Sequence, residues 1–559
     1  QSTVQEKVKW LKRNSLSISP NKVQVAIFTR HRVRNLRQVT IEGQQVNIVD
    51  NIRILGVVLD SKMTFNYHVT NIISKCEKGI NILRNLAKTN WGAHPSVCLQ
   101  IYKSIIRVHL DQNCMIYGGI NKTNQLRLDR VQYSALRVCV GAVKSTPTNA
   151  LIVEAGESPL VIRRQVLSHR YLVRKLANDC DWILNQLVIL ARHHACNRYW
   201  IKRPTPPLIT SFYLYKNWED NVDIESSIPF YSHPWRFLLS KDYVKLDENL
   251  VDCSLVDRNL RNMIFQTRVR EYWEEYMQIY TDGSKSEQGV GCGVFVTGEG
   301  SKCLSLPRFT SIFNAESLAI RLAIKYVKEH SIQKAIIFTD SRSVLEAINH
   351  PKINSNFLIY DIIFRVEELI TSGKCIKLVW LKSHEGIIGN EEADKLAKQG
   401  VSDECSLRIP IMDLKIVIKN EGILQWQKLY DNISKKKGKL YRLCRPKVSF
   451  KTWFENQNLD RNGITTGVRL RLDHTFLKFH LYRIGAVTNP RCLCGVKDET
   501  ADHIVWECDI YSAHRSVLYN ELYREGVIFP VNLRYLLVTN NINVYKILFK
   551  FFKRSKIII

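Results

Sequence analysis

Residues 276–402 constrain this chain most, because four carboxylates there stand at different junctions of one repeating strand and helix pattern. They are Asp282 in IYTDGSK, Glu316 in NAESLAI, Asp340 in FTDSRS and Asp394 in SHEGIIGNEEADKLAK. QIYTD and KAIIFTD are short apolar, β-branched runs ending in Thr-Asp, the pattern of buried strands with an acid at the carboxyl end. Ala315, Leu318, Ala319, Leu322, Ala323 and Tyr326 recur at the spacing of one helical face, which puts Glu316 in the first turn of a helix. Asn390 reads as the N-cap of a last helix with Asp394 just inside it, where a negative charge suits the helix dipole. Open α/β sheets bind ligands beyond the carboxyl ends of their strands, so Asp282 and Asp340 are expected to share one site.

Acids gathered in one cleft repel each other unless cations lie between them. Hard divalent ions take oxygen ligands, and a pair of them ~3.5 to 4 Å apart suits phosphodiester hydrolysis. With TDGS, AE, TDS and H-x-G-x-x-GN-x-x-AD in this order, and His384 ahead of Asp394, the stretch resembles type 1 ribonuclease H. The resemblance implies a five-stranded mixed sheet with helices and endonucleolytic cutting of the RNA strand of RNA/DNA hybrids. It makes Asp282, Glu316, Asp340 and Asp394 ligands of two Mg²⁺ or Mn²⁺ ions and gives His384 proton transfer or product release. The polar residues with which that family often reads the ribose 2′-hydroxyl are replaced here by Ile312 and Phe313. Recognition of RNA is therefore expected to lean on backbone groups near Gly283, Ser284 and Asn314, with Asn390 as a further substrate-binding residue.

Length and charge bound the rest. A chain of 559 residues suggests roughly three or four domains. Its 81 Lys and Arg against 52 Asp and Glu leave a net charge of +29, which points to a polyanionic partner and salt-sensitive binding. Fifteen cysteines without a secretory leader suggest an intracellular protein, nuclear or cytoplasmic in a ribonucleoprotein and not secreted. No uncharged apolar run reaches a membrane span, and the tail VYKILFKFFKRSKIII reads as a docked helix. The first residue is Gln, so the sequence is expected to be part of something longer.

Residues 1–200 begin with a helix-like segment, VQEKVKWLKRNSLSISPNK, followed by short strand patterns and then basic amphipathic helices, one carrying Val69, Ile72, Ile73, Cys76, Ile80 and Leu83 on a single stripe. SISPNKVQVAIFTR, ILGVVLDSKMTFNYHV and IVEAGESPLVIRRQVLSHRYLVRKLA resemble the region after the catalytic core of jockey-type non-LTR retrotransposon reverse transcriptases. That resemblance implies a mostly helical thumb or connection. The chain contains no Asp-Asp pair for a polymerase site, so no DNA synthesis is expected of it. Residues 201–275, with KRPTPP, SSIPF and YSHPW, read as a Pro-rich linker, packed through Phe212, Tyr213, Tyr215 and Trp218.

Residues 403–559 form a basic carboxyl-terminal segment. WFENQNLDRNGITTGVRLRLDHTFLKFHLYRIG interleaves Arg and Lys with aromatic residues, which suits phosphate contacts with base stacking. Cys492, Cys494, His503 and Cys508 could surround one Zn²⁺ as a small CCHC knuckle, with thiolates as soft ligands. RCLCG and ETADHIVWEC also look like the carboxyl end of jockey-type polyproteins. The whole reads as a multidomain α/β hybrid ribonuclease from a retroelement polyprotein, the rest of which is an expected partner. A catalytically inactive nucleic-acid-binding relic is the main alternative. A transposase or integrase, or an RNA-packaging protein, fits less well, because neither needs these four acids together with His384.

Overall fold

The computed structural model describes residues 2–559 apart from 17, 20–21, 30–38, 42, 89–90, 177–180, 201–203, 219–221, 224–240, 247–256, 352–355, 402–408 and 540. These residues pack as two units. One is formed by Gln1–Ser168, His194–Pro207 and Glu421–Ile559, the other by His169–His193 and Leu208–Asn420.

The second unit is built on a mixed sheet. Its strands are β1 (Val244–Lys245), β2 (Met277–Lys285), β3 (Val290–Val296), β4 (Gly300–Leu306), β5 (Lys334–Thr339) and β6 (Cys375–Trp380), in the order β4-β3-β2-β5-β6-β1. The strands from β4 to β2 are antiparallel, and β5, β6 and β1 are each parallel to their neighbours. The helices packed on this sheet are α1 (Arg258–Trp273), α2 (Ile312–Glu329), α3 (Arg342–Asn349), α4 (Phe357–Thr371) and α5 (Ile388–Gln399). Alternation along the strands serves two cores. Ile279, Ile337 and Leu378 face α2, α3 and α4, while Tyr280, Ile336, Phe338 and Val379 pack with Phe265 and Val269 of α1 and Ala393 of α5. Burying Phe265 alone is worth about 2–3 kcal/mol.

The sheet has six strands, one more than expected. The extra strand β1 comes from the segment read as a linker: Leu378 N–H donates to Tyr243 O at 2.7 Å, and Tyr243 and Val244 enter the core. Nearby, buried Lys241 pairs with Glu367. The same segment contributes α1 and the helix Pro207–Lys216, which buries Phe212 and Tyr215. SSIPF and YSHPW lie outside the described residues.

The first unit cuts across the expected division into an amino-terminal region and a separate carboxyl-terminal domain. Val69, Ile80, Leu128 and Leu136 share one core with Trp426, Tyr430, Phe454, Ile464 and Val468. Buried arginines tie the two parts together. Arg461 donates to Lys88 O at 2.8 Å, Ala93 O at 3.1 Å, Val138 O at 2.9 Å and Cys139 O at 3.2 Å. Arg471 donates from Nε to Glu154 Oε1 at 3.1 Å, and Tyr441 and Trp453 each donate to the same carboxylate at 2.6 Å. Arg461, Arg469 and Arg471 of the interleaved stretch are thus buried and committed to protein partners, which corrects their reading as phosphate contacts. The tail helix Ile542–Arg554 docks through Val544, Tyr545, Leu548, Phe551 and Phe552. Among the described residues no helix is long and apolar enough to cross a membrane.

Candidate active site

Register places the first two acids. Thr281 pairs with Thr339 in the parallel ladder of β2 and β5, so the next residues, Asp282 and Asp340, emerge side by side. Glu316 comes from α2, whose N-terminus is fixed by its cap Ser311 and by Asp413, which accepts from Ser311 N–H at 3.1 Å. Glu316 falls in the second turn, because the helix already starts at Ile312. Asp282, Glu316 and Asp340 each offer a carboxylate oxygen within 4.8 Å of the others.

Asp394 arrives with α5, which lies directly on β3. A Cβ on Gly293 would fall 2.5 Å from Ala393 O and 2.5 Å from Ala397 N, so the contact requires glycine. Gly293 pairs with Asp282, and Asp394 follows Ala393, so this close approach delivers the fourth acid. It lines a 240 Å³ cavity together with Asp282, Gly283, Glu316, Asp340, Ser383, His384, Asn390 and Glu391. Its Oδ2 accepts from Lys398 Nζ at 2.6 Å.

The electrostatics follow from crowding. Burial, then Asp282 and Asp340, push the Glu316 carboxyl up to about 9. Burial, then Asp340 and Asp394, push Asp282 up to about 7, while Lys398 and a hydrogen bond from Gly283 N–H oppose the shift. Asp340 is raised chiefly by burial, against the pull of His384 and a hydrogen bond from Asn390. The buried Glu316 Oε2 has no hydrogen-bond partner. An all-oxygen donor set with an orphaned acceptor and mutual repulsion fits a hard divalent cation.

Several expectations change. Asn390 is not the N-cap of α5: the helix begins at Ile388 after Ile387, which is anchored in the core, and the Asn390 side chain turns to Asp340. The Asn314 side chain is engaged by the protein and does not line the cavity. It is buried, its Nδ2 donates to Asp413 Oδ2 at 2.7 Å, and its Oδ1 accepts from Asn356. Gly283 lines the cavity, whereas Ser284 is on the same strand without lining it. Ser383 and Glu391 join the cavity unanticipated, although both stand in the motif around His384. Asp413 had no local signal, because its role depends on a contact far along the chain.

The family model described as RNase H matches residues 274–402. The chain carries a ribonuclease H domain. Human ribonuclease H1 is 31% identical over 147 residues, covering 23% of this chain and 51% of that protein. A 115 kDa protein of the type-1 retrotransposable element R1DM of Drosophila melanogaster is 21% identical over 171 residues, covering 29% of this chain and 16% of that protein. The RNA-directed DNA polymerase from mobile element jockey of Drosophila funebris is 27% identical over 139 residues, covering 24% of this chain and 14% of that protein. The chain thus spans about half the length of the ribonuclease H1 it matches, and less of the retroelement proteins. The four acids and His384 all lie inside the ribonuclease H domain.

A second cluster lies outside the ribonuclease H domain, in the first unit. Cys492, Cys494, His503 and Cys508 bring their donor atoms within 4.8 Å of one another. Cys492 Sγ and Cys508 Sγ are 3.7 Å apart, and Cys494 Sγ and His503 Nε2 are 3.2 Å apart. Two Zn–S bonds of ~2.3 Å at a tetrahedral angle would separate the sulfurs by about the same distance. His503 Nδ1 faces Glu507 Oε2 at 3.4 Å, the outer carboxylate that commonly orients a ligating imidazole. The backbone N–H of Val496 is the first of several hydrogen bonds that hold the Cys494 thiol down to about 6, favouring the thiolate.

Proposed function

We propose that this chain cuts the RNA strand of RNA/DNA hybrids by metal-dependent hydrolysis, during reverse transcription of a retroelement. The observation that carries this is the convergence of Asp282, Glu316 and Asp340 at the strand ends, with Asp394 and His384 on the same cavity. Asp282, Glu316, Asp340 and Asp394 would hold two Mg²⁺ or Mn²⁺ ions. Bound there, such ions supply an activated water and charge neutralisation at the leaving oxygen. His384, on a loop beside Asp340, carries protons to or from the reacting groups. Asn390 holds Asp340 in place, and Lys398 neutralises Asp394.

The net charge of +29 supports a polyanionic substrate. In the first unit, a groove lined by Arg84, Arg127 and Arg130 offers contacts to a phosphate backbone. Zn²⁺ on the CCHC cluster would be structural, since four protein ligands leave no open position. Thiolate ligands call for a reducing compartment, in keeping with a nuclear or cytoplasmic ribonucleoprotein.

The test is single-turnover cleavage of a labelled hybrid with Mg²⁺ or EDTA, comparing the wild-type chain with Asp340→Asn at matched hybrid binding. Cutting should vanish in the variant and in EDTA while binding persists. Cutting that survives Asp340→Asn would reject this site, and a chain that binds hybrid without cutting would leave the inactive relic.

A further inference from the structure

The helix α1 precedes residues 274–402 and so lies outside the matched ribonuclease H stretch, yet it packs against the loop that carries His384. Phe265 and Val269 are buried in one cluster with Leu381 and Ile387, which flank that loop, and with Ala393 of α5. A Cβ on Gly386 would lie 2.8 Å from the Arg258 Cβ, so backbone and helix touch directly.

Two polar contacts then fix the loop at both ends. Glu385, next to His384, is nearly buried and takes Arg261 from α1 on one oxygen and Lys382 at 2.6 Å on the other. Ile388 N–H, the first of α5, donates to Asn262 Oδ1 at 3.1 Å. The helix's own N-cap, Ile387, has no side chain able to do this, so the cap is supplied from another element. The loop needs such support: His384 sits at φ 60° and Gly386 at φ 83°, and the left-handed region is unfavourable for a histidine.

We propose that Arg261 and Asn262 are positioning residues for the nuclease site, holding His384 and the start of α5 in their working geometry from a helix added ahead of the domain. This rests on the functional reading above. Neither residue lines the acidic cavity. Their effect passes through Glu385 to His384 and through the α5 N-terminus to Asn390 and Asp394. A displacement of an ångström at such groups costs as much as ~100-fold in rate.

The experiment uses the full chain with Arg261→Met and Asn262→Ala, singly and together, and with Arg261→Lys and Asn262→Asp as conservative counterparts. Amide hydrogen exchange over residues 382–394 is followed alongside steady-state hybrid cleavage across hybrid concentration, Mg²⁺ concentration and pH. The double variant should exchange at least ~10-fold faster in this segment and cut ~10- to 100-fold more slowly at saturating hybrid, with KM unchanged. Asn262→Asp, which keeps the acceptor, should recover most of both. Unchanged exchange over 382–394, a loss confined to KM, or failure of Asn262→Asp to rescue would overturn the proposal. If the wild-type chain does not cut hybrid, the functional reading fails instead, and exchange alone decides whether α1 clamps the loop.

Discussion

Replacing Glu154 by Gln should destabilise the first unit by about 3–5 kcal/mol, the cost of stranding a buried charge. Arg471 and Glu154 expose 1% and 0% of their side chains, so water cannot compensate. The carboxylate accepts from Arg471, Tyr441 and Trp453, while Arg471 also donates to Leu537 O at 3.0 Å and Tyr545 Oη at 2.8 Å. Gln keeps the size and one acceptor but leaves the guanidinium without its counter-ion. Arg471→Met strands the carboxylate in turn and should cost a similar amount.

The double variant distinguishes this from a packing effect. With both charges gone the desolvation penalty disappears, so its loss should fall well below the sum of the single losses, a coupling of at least ~2 kcal/mol. Urea denaturation of the full chain provides the assay, with amide exchange in the helices Thr148–Glu154 and Arg461–Leu472 assigning the transition to this unit. With a slope of roughly 3 kcal/mol/M, each single variant should lower the midpoint by about 1–1.7 M. A single-variant loss below ~1 kcal/mol, or strict additivity in the double variant, would refute the view that this ion pair staples the two ends of the chain.

Four further outcomes are expected. The pKa values of Asp282 and Glu316 are raised on folding, so their contribution is complete below the ordinary carboxylate range and drains as pH rises towards about 7 and about 9. In EDTA the nuclease unit should therefore melt lower at pH 8 than at pH 5, by up to ~1.4 kcal/mol per pH unit per group, and Mg²⁺ should restore more stability at pH 8; equal melting would count against the crowded acids. Elemental analysis should find one zinc per chain, lost in Cys492→Ser with melting of residues 491–511; unchanged zinc in that variant would reject the cluster as its site. Asp413→Ala strands Ser311 N–H and Asn314 Nδ2 and should cost about 1–3 kcal/mol in the nuclease unit, with denaturation as the measure. In the same series Asn314→Ala should leave discrimination of RNA from DNA unchanged, and relaxed discrimination would return that residue to the substrate.

The acids were legible in the sequence because each was tied to a local pattern. Asp282 and Asp340 end apolar strands, Glu316 follows a helical stripe, and Asp394 belongs to a motif with glycines that the packing of α5 uses. The four zinc-type ligands were legible for the same reason, being close along the chain. What escaped depended on partners distant in sequence. Asn390 has the chemistry of an N-cap, but the core anchors Ile387 and Asn262 caps the helix from 126 residues away. The two-residue strand β1 is too short for any periodicity, and it exists because β6 offers it an edge. Asn314 reads as a substrate contact in sequence, whereas its amide is held by Asp413 and Asn356, both distant along the chain.

The basic residues carry the broader lesson, since their side chains read alike in sequence and are put to opposite uses. Arg461, Arg469 and Arg471 lie in a run that suggests a nucleic-acid surface, yet they are buried and joined to carbonyls, a terminal main-chain oxygen and Glu154. Arg84, Arg127 and Arg130 line an open groove instead. A buried guanidinium forgoes its hydration and must find protein acceptors, so the loops it reaches become fixed in place. That accounts for residues 421–559 sharing a core with residues 1–168, although the ribonuclease H domain intervenes. The charge available for a polyanion is accordingly smaller than the net +29, and salt dependence of hybrid binding should track the groove arginines and not the buried ones.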